Sequence, residues 1–180
     1  MQNMHDFMQL SKTTASAKRV AILGNSGSGK STLALAMARS QRLALLDLDT
    51  VVWAPGQVAV ARNPQTALAD VRHFCRQSAR WVVEGCYAGL VREALGSGVE
   101  LVFLEPGEAV CLANCKQRPW EPHKYVSKAK QDEKLPFLLD WVSDYYQRDG
   151  DVSLSAHEAL FEAYDGPKRR VSQRAELQLA

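Results

Sequence analysis

The chain of 180 residues carries 22 Lys and Arg against 20 Asp and Glu, a net charge of +2 and a pI near 8.4. That balance is too even for a nucleic-acid or membrane-surface protein, whose basic residues gather in patches. With 46% hydrophobic and 23% charged residues and a mean hydropathy of -0.24, it reads as a soluble chain of one domain with a sizeable core. Cys75, Cys86, Cys111 and Cys115 form no C-x-x-C pair. No signal-peptide core and no apolar run of roughly 20 residues is present, so reduced thiols and a cytoplasmic setting are expected.

Residues 1–18 read as a flexible tail and 19–180 as one domain. "RVAILG" (19–24) is a short apolar run closed by Gly, the pattern of a buried parallel strand. From Lys30 the spacing of Leu33, Ala36 and Met37 turns helical, with Arg39 and Arg42 near the end where the helix dipole favours cations. "LALLDLD" (43–49) predicts a second buried strand ending in carboxylates, and helical candidates follow at about 65–78 and 87–95. "RWVVEG" (80–85) and "VELVFLEP" (99–106) repeat the strand design. After Pro106 a helix runs until Pro119 stops it, placing Cys111 and Cys115 on one face as packing residues rather than metal ligands. Residues 119–134, polar, Lys-rich and interrupted by prolines, read as a loop or lid within a region of about 118–150. Helices at about 134–147 and 155–164 and a short edge strand at 167–172 complete the chain. Strands alternating with helices imply right-handed crossovers and a parallel sheet covered on both faces, an α/β fold.

Gly24-Asn25-Ser26-Gly27-Ser28-Gly29-Lys30-Ser31 matches G-x-x-x-x-G-K-[ST], with a strand before it and a helix after it. The glycines let successive backbone N–H groups turn inward on phosphate oxygens, and the helix N-terminus favours an anion. Lys30 supplies a full positive charge at the β- and γ-phosphates, and the Ser31 hydroxyl suits Mg²⁺. Thr32, one residue out of the motif register, is expected near the α-phosphate. The expected ligand is a purine nucleoside triphosphate, ATP in preference to GTP, with Mg²⁺.

Ligands of open parallel sheets bind beyond the carboxyl ends of the strands, where Asp47, Asp49, Glu84 and Glu105 stand. Asp49 is the candidate for holding an acceptor or taking its proton. Glu84, directly before Gly85, is the candidate for anchoring a Mg²⁺-bound water. "RPWEPHKY" (118–125) mixes aromatic and basic groups as a phosphate-clamping segment would, although His123 alone reads as a solvated residue. Arg92 lies where it can reach an acceptor phosphate, Trp53 beside a pocket, and Lys168, Arg169 and Arg170 read as a solvated edge.

"ILGNSGSGKSTLA", "LDLDTVVW", "WVVEGCY" and "LVFLEP" resemble, in order and spacing, the small P-loop kinases of the adenylate kinase and shikimate kinase group, most of all the topology-modulation or FlaR-like proteins. The resemblance covers about residues 19–118. It implies a three-layer P-loop fold with a five-stranded parallel sheet in the order 2-3-1-4-5 and a substrate site near Asp49 to Trp53. It also implies a Walker B-like acid at Glu84 and a lid arginine at Arg118, helped by Lys116, Lys124, Lys128 and Lys130. The Asp-Gly-Phe-Pro-Arg segment of adenylate kinases is replaced here by "EGCYAG". The expected activity is transfer of the γ-phosphate of Mg-ATP to a nucleotide or small-molecule acceptor, with Lys30, Asp49, Glu84 and Arg118 as catalytic residues and no nucleic acid or membrane partner. An ATP-binding regulatory protein or slow ATPase without a dedicated acceptor is the alternative, and the oligomeric state is left open.

Overall fold

The computed structural model describes residues 17–54, 60–122 and 125–172. Five parallel strands, β1 (Lys18–Gly24), β2 (Ala44–Asp47), β3 (Arg80–Gly85), β4 (Val99–Leu104) and β5 (Lys168–Val171), lie in the order β2-β3-β1-β4-β5. The helices among the described residues are α1 (Lys30–Gln41), α2 (Asp49–Val52), α3 (Pro64–Gln77), α4 (Ala88–Ala94), α5 (Glu108–Lys116), α6 (Lys128–Glu133), α7 (Leu135–Asp144) and α8 (Leu154–Ala163). This is the α/β architecture expected from the sequence and the strand order that the resemblance implies.

Successive side chains of a strand point to opposite faces, and that alternation divides the core into two layers. Val20 and Ile22 of β1 join Val82, Val102 and Leu104 under Ala34 and Met37 of α1. Ala21 and Leu23 face the other way, with Trp81, Val83, Leu101 and Phe103 under α3, α4 and α8. The central strands are buried on both sides, which is why they read as unbroken apolar runs. Local signals set the helix ends. Asn63 caps α3, its side chain accepting the Gln65 N–H at 2.8 Å with Pro64 in the first turn, and Ser153 caps α8 through the Ala156 N–H.

The structure corrects three local expectations. The second strand is an edge with Ala44 and Leu45 exposed, because it pairs only with β3; an apolar run does not by itself distinguish an edge strand from a central one. It stops at Asp47, whose Oδ1 accepts the Asp49 N–H at 2.9 Å, so Asp49 opens the short helix α2 instead of ending a strand. The 119–134 segment is not all loop. Ser127 caps α6, and the buried Gln131 amide donates to the Pro119 carbonyl at 3.0 Å and accepts the Glu121 N–H at 2.9 Å. No helix among the described residues is long and apolar enough to cross a membrane. The 1–16 part of the tail, His123 and Lys124 lie outside the described residues.

Candidate functional site

β1 delivers the chain to Gly24 at the carboxyl edge of the sheet, and the loop turns into α1 at Lys30. Gly27 and Gly29 adopt φ of 77° and 95°, a region costly for other residues, which lets the backbone wrap around the space above the helix N-terminus. Gly27 is also packed too closely for a side chain, since a Cβ there would meet the Cys111 carbonyl and lie 2.8 Å from Cys115 Sγ. A third element that the motif does not announce therefore presses on the loop. Asn114 of α5 donates to the Gly27 carbonyl at 2.8 Å, and Asn25 donates to the Val142 carbonyl of α7 at 2.9 Å. The Asn25 side-chain oxygen accepts the Ser26 N–H at 2.8 Å.

Lys30 is almost fully buried and donates its ammonium to the Asn25 carbonyl at 2.8 Å across the mouth of the loop. Ser28 Oγ is buried with no hydrogen-bond partner. A buried hydroxyl without a partner is costly, and here it sits inside a glycine-lined curve at a helix N-terminus. The residues present therefore fit a polyphosphate.

Glu84 ends its apolar run on β3 buried, in register with Asp47 across to β2 and with Ile22 of β1. Burial raises its carboxyl above the ordinary range; the Lys30 ammonium and the Ser31 hydroxyl oppose that, and Asp47 and Asp49 reinforce it. The structure thus places Lys30 and Ser31 of the loop motif within the electrostatic reach of Glu84, Asp47 and Asp49, three of the four acids that the strand-end argument selected. A hydroxyl and a buried carboxylate facing one loop are an oxygen donor set suited to Mg²⁺.

Gly85 explains how Asp49 reaches this group. A Cβ at Gly85 would come within 2.8 Å of Leu48, and the Leu48 N–H donates to the Glu84 carbonyl at 2.9 Å. Glycine therefore lets the β2–α2 turn rest on the end of β3. Two residues on, Tyr87 donates its hydroxyl to Asp49 Oδ1 at 2.8 Å and accepts Trp53 Nε1–H at 3.1 Å. Tyr87 loses acidity because it is buried and faces the Asp49 charge, so it stays a donor. Sequence reading singled out Asp49 and Trp53 and used Tyr87 only as a mark of resemblance.

Two further residues that sequence reading missed hold this strap from behind. His157 is fully buried between Tyr145 and the Cys86 carbonyl, at 2.9 Å from Nδ1 to the phenol oxygen and 2.8 Å from Nε2 to the carbonyl oxygen. A carbonyl only accepts, so Nε2 carries the proton and Nδ1 accepts from Tyr145. Burial pushes the imidazole down to about 4, keeping it neutral.

Arg118 stands beyond the end of α5 and forms an ion pair with Glu121 at 3.2 Å. Its charge reaches Cys115, the thiol beside Gly27. Of its expected helpers, Lys128 pairs with Asp132 and Lys130 with Glu133, both within α6. Arg92 is exposed on α4, and Glu105 pairs with Arg170 at 3.4 Å. Arg169 pairs with Glu100 at 2.9 Å, so the basic run of β5 is largely spent on neighbouring acids. Cys111 and Cys115 pack with Val142 in a small apolar cluster.

No protein-family model matches the chain, and no curated protein sequence matches it. Solved structures of similar fold include a gluconokinase from Sinorhizobium meliloti, 20% identical over 90% of this chain and 87% of that one with a TM-score of 0.49. A sugar kinase from a Janibacter species is 17% identical over 89% and 88% of the two chains, with a TM-score of 0.48. A shikimate kinase from Bacteroides thetaiotaomicron is 18% identical over 81% and 97%, with a TM-score of 0.45.

Proposed function

We propose that the protein is a Mg-ATP-dependent kinase that transfers the γ-phosphate to a small-molecule acceptor bound beside Asp49. The observation that carries the reading is the convergence of the Gly24–Ser31 loop, the buried Lys30 ammonium bonded to the Asn25 carbonyl, and the buried Glu84 at the end of β3 on the carboxyl edge of the sheet. Bound there, Mg²⁺ would be held by Ser31 directly and by Glu84 through water, and would neutralise charge on the transferring phosphate.

The chain's own residues supply position and charge. Backbone N–H groups of Gly27, Gly29 and the first turn of α1 bind the phosphates, and Lys30 exchanges the Asn25 carbonyl for a phosphate oxygen. Asp49, oriented by Tyr87, receives the acceptor hydroxyl. Arg118 moves from Glu121 to the transferring phosphate as the 118–150 region closes and excludes water.

The test measures ADP release from Mg-ATP with pools of nucleosides, nucleotides, sugars and hydroxy acids, with Lys30→Ala as the blank. Stimulation by one pool supports the kinase. Tight ATP binding with slow release that no pool stimulates would overturn it in favour of a regulatory ATP-binding protein.

A further inference from the structure

An open groove of about 450 Å³ runs along α7 and reaches the first residue of α5. That volume falls within the range of small-molecule sites, roughly 300–1,000 Å³. None of the residues lining it belongs to the phosphate loop or to the group of Asp49, Trp53 and Tyr87, so the kinase reading gives it no role.

The floor of the groove is aromatic. Phe137 and Trp141 stack with ring centres 6.4 Å apart and planes inclined by 24°, and Phe137 is 69% exposed. This wall already seats one cation of the chain itself, since the Arg148 guanidinium carbon lies 3.7 Å from the centre of the Trp141 ring. That guanidinium is fixed by the Trp141 carbonyl at 2.9 Å and by the Val152 carbonyl at 2.8 Å and 3.1 Å, so it holds its place on the ring and leaves Phe137 open.

The charge beside the rings is all of one sign. Glu108, Asp140 and Asp144 line the groove, and no Lys, Arg or His does. Among the described residues Glu108 and Asp140 form no ion pair, while Asp144 acts on the charge of Arg148. Helix stability does not account for both aspartates. Asp144 is the last residue of α7, where the helix dipole disfavours an anion, and Asp140 lies one turn before it.

Helix geometry sets the length of a ligand. Phe137 and Trp141 stand one turn apart, as do Asp140 and Asp144, about 6 Å along the axis, so rings and carboxylates form two parallel rows. A metal ion would use the carboxylates and leave the rings bare, and a single ammonium would use one carboxylate. An alkyl chain of about four methylenes with an ammonium at each end uses both rows, its nitrogens at the acids and its methylenes on the rings. Glu108 offers a place for a further ammonium of a longer chain.

We propose that this groove binds a linear polyamine, with successive ammonium groups at Asp140 and Asp144 and the alkyl chain on Phe137 and Trp141. The site stands independently of the kinase reading. Val142, the neighbour of Trp141, receives the Asn25 amide, so the occupant sits on the helix that anchors the phosphate loop.

The experiment titrates spermidine, 1,4-diaminobutane, 1-aminobutane, 1,4-butanediol and a capped Lys-Lys dipeptide into the full chain without nucleotide, by calorimetry. The diamine is expected to bind at least about tenfold more tightly than the monoamine, spermidine more tightly again, and the diol not at all up to about 10 mM. Asp140→Asn and Asp144→Asn should each weaken spermidine by about fivefold or more, and Phe137→Ala should weaken the diamine as well. All three side chains are exposed, so melting temperatures should stay close to that of the unaltered protein, and Glu162→Gln, an exposed acid of α8, should leave binding unchanged. Equal binding of monoamine and diamine overturns the proposal, as does spermidine binding that both aspartate variants retain, or no spermidine binding up to about 10 mM. Tighter binding of the dipeptide, which carries the same charge as the diamine, overturns it in favour of a basic protein segment.

Discussion

Asn25 reaches across 117 positions of sequence to donate its side-chain amide to the Val142 carbonyl at 2.9 Å, in a buried setting. Its own carbonyl meanwhile receives the Lys30 ammonium at 2.8 Å. One residue thus ties the phosphate loop to α7 and holds the loop's lysine in place. Asn25→Ala leaves a buried carbonyl of α7 unpaired and is expected to cost about 1–3 kcal/mol of stability. Nucleotide affinity should fall as well, because the loop loses its anchor. Chemical denaturation and nucleotide titration check both, and unchanged affinity would show that the loop holds its shape without α7.

The loop glycines separate conformation from packing. Gly27 has a positive φ and also lies against α5, whereas a Cβ at Gly29, with φ of 95°, would meet nothing within 4 Å. Gly29→Ala is expected to cost about 1 kcal/mol from backbone strain, and Gly27→Ala at least about twice that because α5 must also give way. Melting temperatures of the two variants decide the order.

Much of this was legible in the sequence for physical reasons. Central strands are buried on both faces, so Val20 to Leu23, Trp81 to Val83 and Leu101 to Leu104 stand out as apolar runs closed by Gly or an acid. The loop was legible because only glycines at fixed spacing before a Lys permit its backbone. The supports were not. Asn25 occupies an unconstrained position of the motif, and its partner is a backbone carbonyl of Val142, which leaves no mark in sequence. The same holds for His157, which reads as an ordinary residue of an amphipathic helix until its contact with the Cys86 carbonyl is seen. The end of β2 was misread because Asp47 turns the backbone with its side chain, and apolar spacing says nothing about that turn.

Arg118 and Glu121 form an ion pair at 3.2 Å, three residues apart beyond the end of α5. If Arg118 leaves Glu121 to meet the transferring phosphate, Arg118→Ala loses kcat by about tenfold or more while ATP affinity changes little. Glu121→Gln, which frees the arginine, should leave kcat intact. Steady-state kinetics with the identified acceptor check this, and an affinity loss at constant kcat would place Arg118 in binding instead.

The buried His157 sets a pH limit on the fold. Its folded value of about 4 lies below the ordinary 6.5, pushed down by burial and by the charges of Lys30 and Arg148 against the hydrogen bond to the Cys86 carbonyl. Between those two values the unfolded chain binds the proton and the folded chain does not. The stabilisation is therefore complete above about pH 6.5 and declines as pH falls toward 4, by at most about 3 kcal/mol. Protonation would also force Nδ1 to become a donor toward Tyr145, reversing the bond that holds it. Loss should appear first in the strap of Cys86 and Tyr87, and so in Asp49, before the sheet opens. His157→Gln removes the titrating group, and its stability should fall less steeply across that interval than that of the unaltered protein. Denaturation midpoints of both proteins at pH 7, 6, 5 and 4.5 measure the difference, and parallel curves would show that His157 carries none of the acid sensitivity.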